Sequence, residues 1–157
     1  MQQDPIEKKY IEVIYSPESQ GYLLQYCLDN NFDLTSSWNG RLITPEEFQF
    51  HTTIWYTANE VQITNGTTSV IINDIKPTGF TLFNENGLSI LVLEIESEQL
   101  RFIRTAFGEQ YGLHGTFPVY TPHITLSYRY KQEHLPQVDL PVGNMLIADT
   151  LHITGQQ

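Results

Sequence analysis

Thr121-Pro122-His123-Ile124-Thr125-Leu126-Ser127-Tyr128 has an earlier echo in Gln49-Phe50-His51-Thr52-Thr53-Ile54-Trp55-Tyr56. Both stretches read His-x-Thr-aliphatic-x-Tyr, and their histidines lie 72 positions apart. Alternate side chains of a strand share a face. The reading therefore puts His51 with Thr53, and His123 with Thr125, on open faces. It sends Ile54 with Tyr56, and Ile124 with Leu126 and Tyr128, towards the core. Paired His-x-Thr strands over an aliphatic underside suit a catalytic floor with one motif from each half of the chain.

The flanking elements repeat as well. Tyr10 to Tyr15 is rich in β-branched and aromatic residues and predicts a strand. Ser16-Pro17-Glu18 predicts a helix start, with Ser as cap, Pro in the first turn and Glu at the positive helix end. That helix is expected to reach Asp29, to bury Leu23, Leu24, Cys27 and Leu28, and to stop at Asn30-Asn31. Residues 32–47 read as a loop with a turn at Trp38-Asn39-Gly40. In the second half, Leu88 to Ile95 predicts a strand. Ser97 caps a helix to Phe107, with Leu100, Ile103 and Phe107 on one face. Short strands are expected at Val70–Ile72 and Phe80–Phe83, and a final one from Asn144 to Ile153. Strand, Ser-capped helix, irregular stretch and His-x-Thr strand thus occur twice, with no flexible linker between them. The expectation is one domain over 1–157. Its lobes run over about 1–70 and 71–157, with the final strand able to cross back.

Composition narrows the function. The chain has 157 residues and a net charge of −10, from eight Lys and Arg against eighteen Asp and Glu. That balance excludes a long nucleic-acid track, which needs a basic face, but not a small anionic ligand in a local pocket. No stretch is long and apolar enough to span a membrane. Met1-Gln2-Gln3-Asp4-Pro5 lacks a secretion pattern, and the lone Cys27 has no cysteine partner. A cytoplasmic setting is expected.

Four of the five histidines have Thr two positions on, so the bare motif is weak evidence. His114-Gly115-Thr116 runs into Phe117-Pro118 and reads as a loop. His134 has Pro136 at that position. His152-Ile153-Thr154 ends a strand but lacks the aliphatic-x-Tyr continuation. His51 and His123 have matching flanks and matching places in the repeat.

On these motifs the chain resembles the 2H phosphoesterases. Within them it looks most like the phage anti-CBASS nucleases, which degrade cyclic di- and trinucleotide signals of bacterial defence. The narrower resemblance rests on size, on the segment from Phe117 to Tyr128, and on the short final strand. It implies an α+β, bilobed, duplicated fold with two antiparallel sheets flanking a cleft. It also implies a metal-independent phosphodiesterase. In that group an aromatic near the first strand and an acid near the last help hold the nucleotide. Tyr10 or Tyr15 can match the former, with Tyr10 favoured because it shares a face with polar Glu12, and Asp149 matches the latter, although Asp stands where Glu is expected.

The residues fit this chemistry on their own terms. Cleaving a phosphodiester without metal takes a base, an acid and donors to the phosphate. Two histidines can divide the proton work, and Thr53 and Thr125 can donate to phosphate oxygens. Trp55, on the expected face of His51, is a candidate to stack a base. Arg129 and Lys131 are candidates to assist the phosphate. Glu94, Glu96 and Glu98 read as a solvated helix start, so no metal and no cofactor is expected. The expected partner is a cyclic or short oligoribonucleotide, with host cytoplasm as the setting for a phage-encoded chain. The alternatives are a 2H enzyme acting on 2′,5′-oligoadenylate or RNA 2′,3′-cyclic phosphate ends, a nucleotide sponge that does not cut, and an interaction domain with fortuitous histidines.

Overall fold

In a computed structural model, which describes residues 5–85, 87–115 and 119–155, the chain is an α+β protein with antiparallel sheets. In chain order the elements are β1 (Ile6–Glu7), β2 (Lys9–Tyr15), α1 (Pro17–Asp29), β3 (His51–Tyr56), β4 (Val61–Gln62) and β5 (Gly66–Ile72). There follow β6 (Lys76–Glu85), β7 (Leu88–Glu96), α2 (Glu98–Tyr111), β8 (His123–Ser127) and β9 (Ala148–Gly155).

One sheet has the order β3-β2-β9-β5 and another the order β6-β7-β8, while β1 pairs with β4. The sequence β2–α1–β3 returns its second strand antiparallel against its first, and β7–α2–β8 does the same. The strands β3 and β8 pack against one another. Their buried residues join one continuous core, with Ile11, Val13, Leu23, Ile54, Leu91, Leu93, Leu100, Ile124 and Leu126 all fully enclosed.

Local chemistry sets the helix ends. The Ser16 hydroxyl accepts from the Ser19 amide, and the Ser97 hydroxyl from the Leu100 amide, each supplying one partner the first turn lacks. Asn31, just past α1, takes a positive φ of 59°, a conformation Asn tolerates better than most residues. Gly112 closes α2 in the left-handed region at φ 60°. Helix α2 runs one turn beyond the expected Phe107, to Tyr111. In α1, Leu23 and Cys27 are buried, but Leu28 of the expected stripe is turned outward. The last strand starts at Ala148 rather than Asn144, because a 3₁₀ turn takes up Gly143–Met145. Among the described residues no helix is long and apolar enough to cross a membrane.

Candidate active site

Each motif strand carries one extra residue immediately after its Thr. On β3, Thr53 pairs with Glu12 and Trp55 with Ile11, leaving Ile54 as the unpaired residue. On β8, Thr125 pairs with Val92 and Ser127 with Leu91, leaving Leu126. These are β-bulges, and a one-residue insertion reverses the alternation beyond it. The sequence expectation is therefore right up to the Thr and wrong after it. Tyr56 and Tyr128 reach the same cleft as the histidines instead of the core. Trp55, expected on the cleft, is buried on the other side, where its indole N–H donates to the Arg104 carbonyl at 2.9 Å. Trp55 is thus not a stacking platform for a substrate.

A bulge frees backbone carbonyls that must find other donors. The carbonyl of Ile54 accepts from the Arg104 guanidinium on α2, which also stacks 3.6 Å from the Trp55 ring and 4.3 Å from the Tyr120 ring. The carbonyl of Leu126 accepts a weak bond from the buried Cys27 thiol on α1, at 3.8 Å. Burial raises the Cys27 pKa, so the thiol keeps the proton it donates. Each helix thereby steadies the bulge in the opposite half of the chain.

The two histidines are held alike. His51 Nδ1 lies 3.2 Å from the carbonyl oxygen of Gln49, and His123 Nδ1 lies 3.1 Å from that of Thr121. A carbonyl only accepts, so Nδ1 carries hydrogen in both rings and Nε2 is left for chemistry. The His123 pKa is lowered from its ordinary value, chiefly because burial penalises the charged ring, with a further depression from nearby His51. The edge of the Phe83 ring meets the His123 ring at 5.7 Å.

Both threonines are backed by tyrosines. The hydroxyls of Tyr10 and Thr53 lie 2.8 Å apart, and the Tyr128 hydroxyl lies close to Thr125 in the same cleft. Burial, with the Glu12 charge nearby, raises the Tyr10 pKa strongly, and burial raises that of Tyr128. Both phenols stay protonated and can donate to the threonines, freeing each threonine hydrogen for a ligand.

His51, Thr53, His123, Thr125 and Tyr10 line one cleft of about 1310 Å³. That exceeds the roughly 300–1,000 Å³ of ordinary small-molecule pockets, so it has room for more than one nucleotide. The turn at Ser37–Arg41, closed by the Ser37 amide on the Arg41 carbonyl at 2.9 Å, brings exposed Trp38 and Arg41 to its rim. Asp149 does not line it. It lies along a separate, shallower depression with Ile14, Tyr15 and Gln20, since β9 runs antiparallel to β2 and Asp149 sits at the end nearer Tyr15. The acids that do line the cleft are Glu12, Glu47 and Glu85, and beside Glu12 on β9 is His152. Arg129 and Lys131 are also off the cleft, and Lys131 pairs with Asp33 at 3.2 Å. The cations of its lining, among the described residues, are Arg41 and Arg104. Phe117 and Pro118, part of the segment that carried the narrower resemblance, lie outside the described residues.

Among the described residues no group of three or more His, Cys, Asp or Glu could hold a metal ion. No curated protein matches the chain. The family model of the anti-CBASS protein Acb1 matches residues 28–152, which take in both motif strands and α2 and begin at the C-terminal end of α1. The chain belongs to this family, which places it among proteins that act against a host defence.

Proposed function

We propose that this Acb1-family chain is a metal-independent phosphodiesterase that opens cyclic di- or trinucleotide signals of the CBASS defence. An anti-CBASS role implies a cyclic oligonucleotide as the partner. The observation that carries the enzymatic reading is the matched pair of histidines. Both rings are fixed through Nδ1, leaving Nε2 free, and both line one cleft with a tyrosine-backed threonine two residues on. Sequestering a nucleotide calls for no paired proton-transfer groups, so a sponge leaves this arrangement unexplained. The repeated strand–helix–strand order, with a bulge at the same place in each motif strand, supports a duplicated, bilobed 2H-like fold.

In this reading the threonines donate to the non-bridging oxygens of one phosphodiester. One histidine takes the proton of the adjacent ribose 2′-OH, and the other protonates the departing 5′-oxygen. The product is a 2′,3′-cyclic phosphate, which water can open to a 3′-phosphate by reversal of the same roles. A proton shuttle of this kind contributes roughly 10²–10⁴-fold to rate, and donors aimed at the developing charge add to it.

The test is incubation with cyclic di- and trinucleotides in EDTA, read by mass spectrometry, beside linear 2′,5′-oligoadenylate and a 2′,3′-cyclic nucleotide. Catalytic conversion of a cyclic substrate is expected, either to a ring-opened isomer of unchanged mass resolved by chromatography or to products heavier by one or more waters. Turnover of the linear or terminal substrates alone would move the function to RNA-end or oligoadenylate processing. Stoichiometric protection without conversion would make the protein a sponge. A rate restored only by added Mg²⁺ or Mn²⁺ would overturn the metal-free mechanism.

A further inference from the structure

The two halves match at His-x-Thr and differ on the neighbouring strand. Thr53 faces Glu12 across the β2–β3 pair, whereas Thr125 faces Val92 across β7–β8. Glu12 is buried, and its carboxylate spans two histidines. One oxygen lies 3.6 Å from His51 Nε2, and the other 3.2 Å from His152 Nδ1 on β9. His152 is directly opposite Glu12 in the β2–β9 register. It carries the last of the four His-x-Thr triplets of the sequence.

An anion beside Nε2 of His51 stabilises positive charge on the nitrogen that would carry the transferable proton. The second half has an apolar residue at the matching place. The carboxylate nearest its histidine in register, Glu94, accepts from the Thr81 hydroxyl at 2.6 Å rather than from the ring. Burial then dominates, and it favours neutral His123. The other titratable groups lining the cleft with His51 are Tyr10 on β2, Tyr56 on β3, Glu85 on β6, Arg104 on α2, His123 on β8 with Tyr120 before and Tyr128 after it, and Arg41 and Glu47 on the loop before β3.

We propose that Glu12, held in place by His152, is a positioning residue that makes His51 the proton donor of the first step and leaves His123 as the acceptor. This rests on the phosphodiesterase reading given above. His123 Nε2 takes the ribose 2′-OH proton as the O2′–P bond forms. The P–O5′ bond breaks, and O5′ takes the proton from His51 Nε2. The products are a 2′,3′-cyclic phosphate and a 5′-hydroxyl, with the proton moved from one imidazole to the other.

The experiment compares two cyclic dinucleotides, one normal and one with sulfur replacing the bridging 5′-oxygen. A thiolate leaves without needing a proton. On the oxygen substrate, His51→Ala and His123→Ala are each expected to lose about 100-fold or more. On the sulfur substrate His51→Ala recovers most of its loss, and His123→Ala does not. Glu12→Gln keeps the shape and removes the charge. It is expected to slow the oxygen substrate about tenfold while leaving the sulfur substrate, which needs no proton donor, nearly unchanged. His152→Gln, which can still donate to Glu12, is expected to show the same changes at smaller size. Rescue of His123→Ala instead would reverse the roles and overturn the assignment alone. Equal losses on both substrates in Glu12→Gln would reduce Glu12 to a structural residue. A wild-type protein that cleaves neither substrate would overturn the enzymatic reading together with this assignment.

Discussion

Tyr120 donates its phenolic hydrogen to the main-chain carbonyl of Thr53, 2.7 Å away. The bond crosses 67 positions of sequence and ties the approach to the second motif onto the first, at the residue just before its bulge. Burial raises the Tyr120 pKa, so the donor stays protonated through the working range. Tyr120→Phe leaves that carbonyl without this donor and is expected to cost about 1 kcal/mol in denaturant unfolding. It should also lower kcat more than KM rises, because the Thr53 hydroxyl rides on the same peptide.

His51→Ala and His123→Ala are each expected to abolish cleavage, by about 10²–10⁴-fold. Fold and measurable nucleotide binding should survive, since both rings sit on one wall of an open cleft. His114→Ala, at an exposed loop position, should leave rates unchanged. Circular dichroism and a binding titration on the same samples separate lost chemistry from lost structure.

The pH profile carries a sign. Burial lowers the His123 pKa, so a neutral His123 persists as pH falls through the ordinary histidine value of about 6.5. The acid limb of kcat/KM should therefore lie below that value. The unfolded chain binds a proton there that the folded His123 refuses. Stability should accordingly fall with pH between the ordinary value and the lowered one. A limb above 6.5 would contradict His123 as the base.

Gly108 lies in α2 where a Cβ would come within 2.9 Å of the Trp55 ring. Gly108→Ala is favourable for helix propensity yet must displace the indole beside the bulge. The net expectation is a loss of about 1–3 kcal/mol, with a shift in tryptophan emission and a fall in kcat. A stabilised variant would show that Trp55 yields without disturbing the strand.

Trp38 and Arg41 line the cleft from the loop before β3, on a segment that carries neither motif. Stacking on an aromatic is worth roughly 1–3 kcal/mol per base. Trp38→Ala should therefore raise KM by about tenfold or more with kcat little changed, and Arg41→Ala should raise it in a salt-dependent way. An unchanged KM in both would place the substrate deeper in the cleft.

What the sequence made legible was local. The serine caps, the asparagine stop and the two His-x-Thr pairs each declare themselves within a few residues, and so did the faces of His51, Thr53, His123 and Thr125. Parity failed at Ile54 and Leu126, where ordinary core residues serve as bulges and nothing in their chemistry marks the insertion. That error sent Trp55 to the cleft and Tyr56 and Tyr128 to the core. Tyr10 was chosen because it shares a face with polar Glu12, but Glu12 itself went unremarked. Its meaning depends on His152, 140 positions away. Asp149 was chosen by position near the final strand, and the register of β9 moves it to the far end. Arg104 sat unnoticed in a helix pattern, although a half-buried arginine between two aromatic rings is what braces the first motif.

Strand β9 lies between β2 and β5, pairing Tyr10 with Thr154 on one side and Thr67 with His152 on the other. During synthesis β2 leaves the ribosome early and waits for nearly the whole chain before this neighbour exists. Until then the first sheet has two open edges where β9 will insert, and Glu12 has no His152. Both motif histidines are already made by that time. Maturation of the site is thus tied to a late, long-range pairing of the slow-forming kind. A nascent chain would gain its binding groups before it gains the charge arrangement proposed to run them.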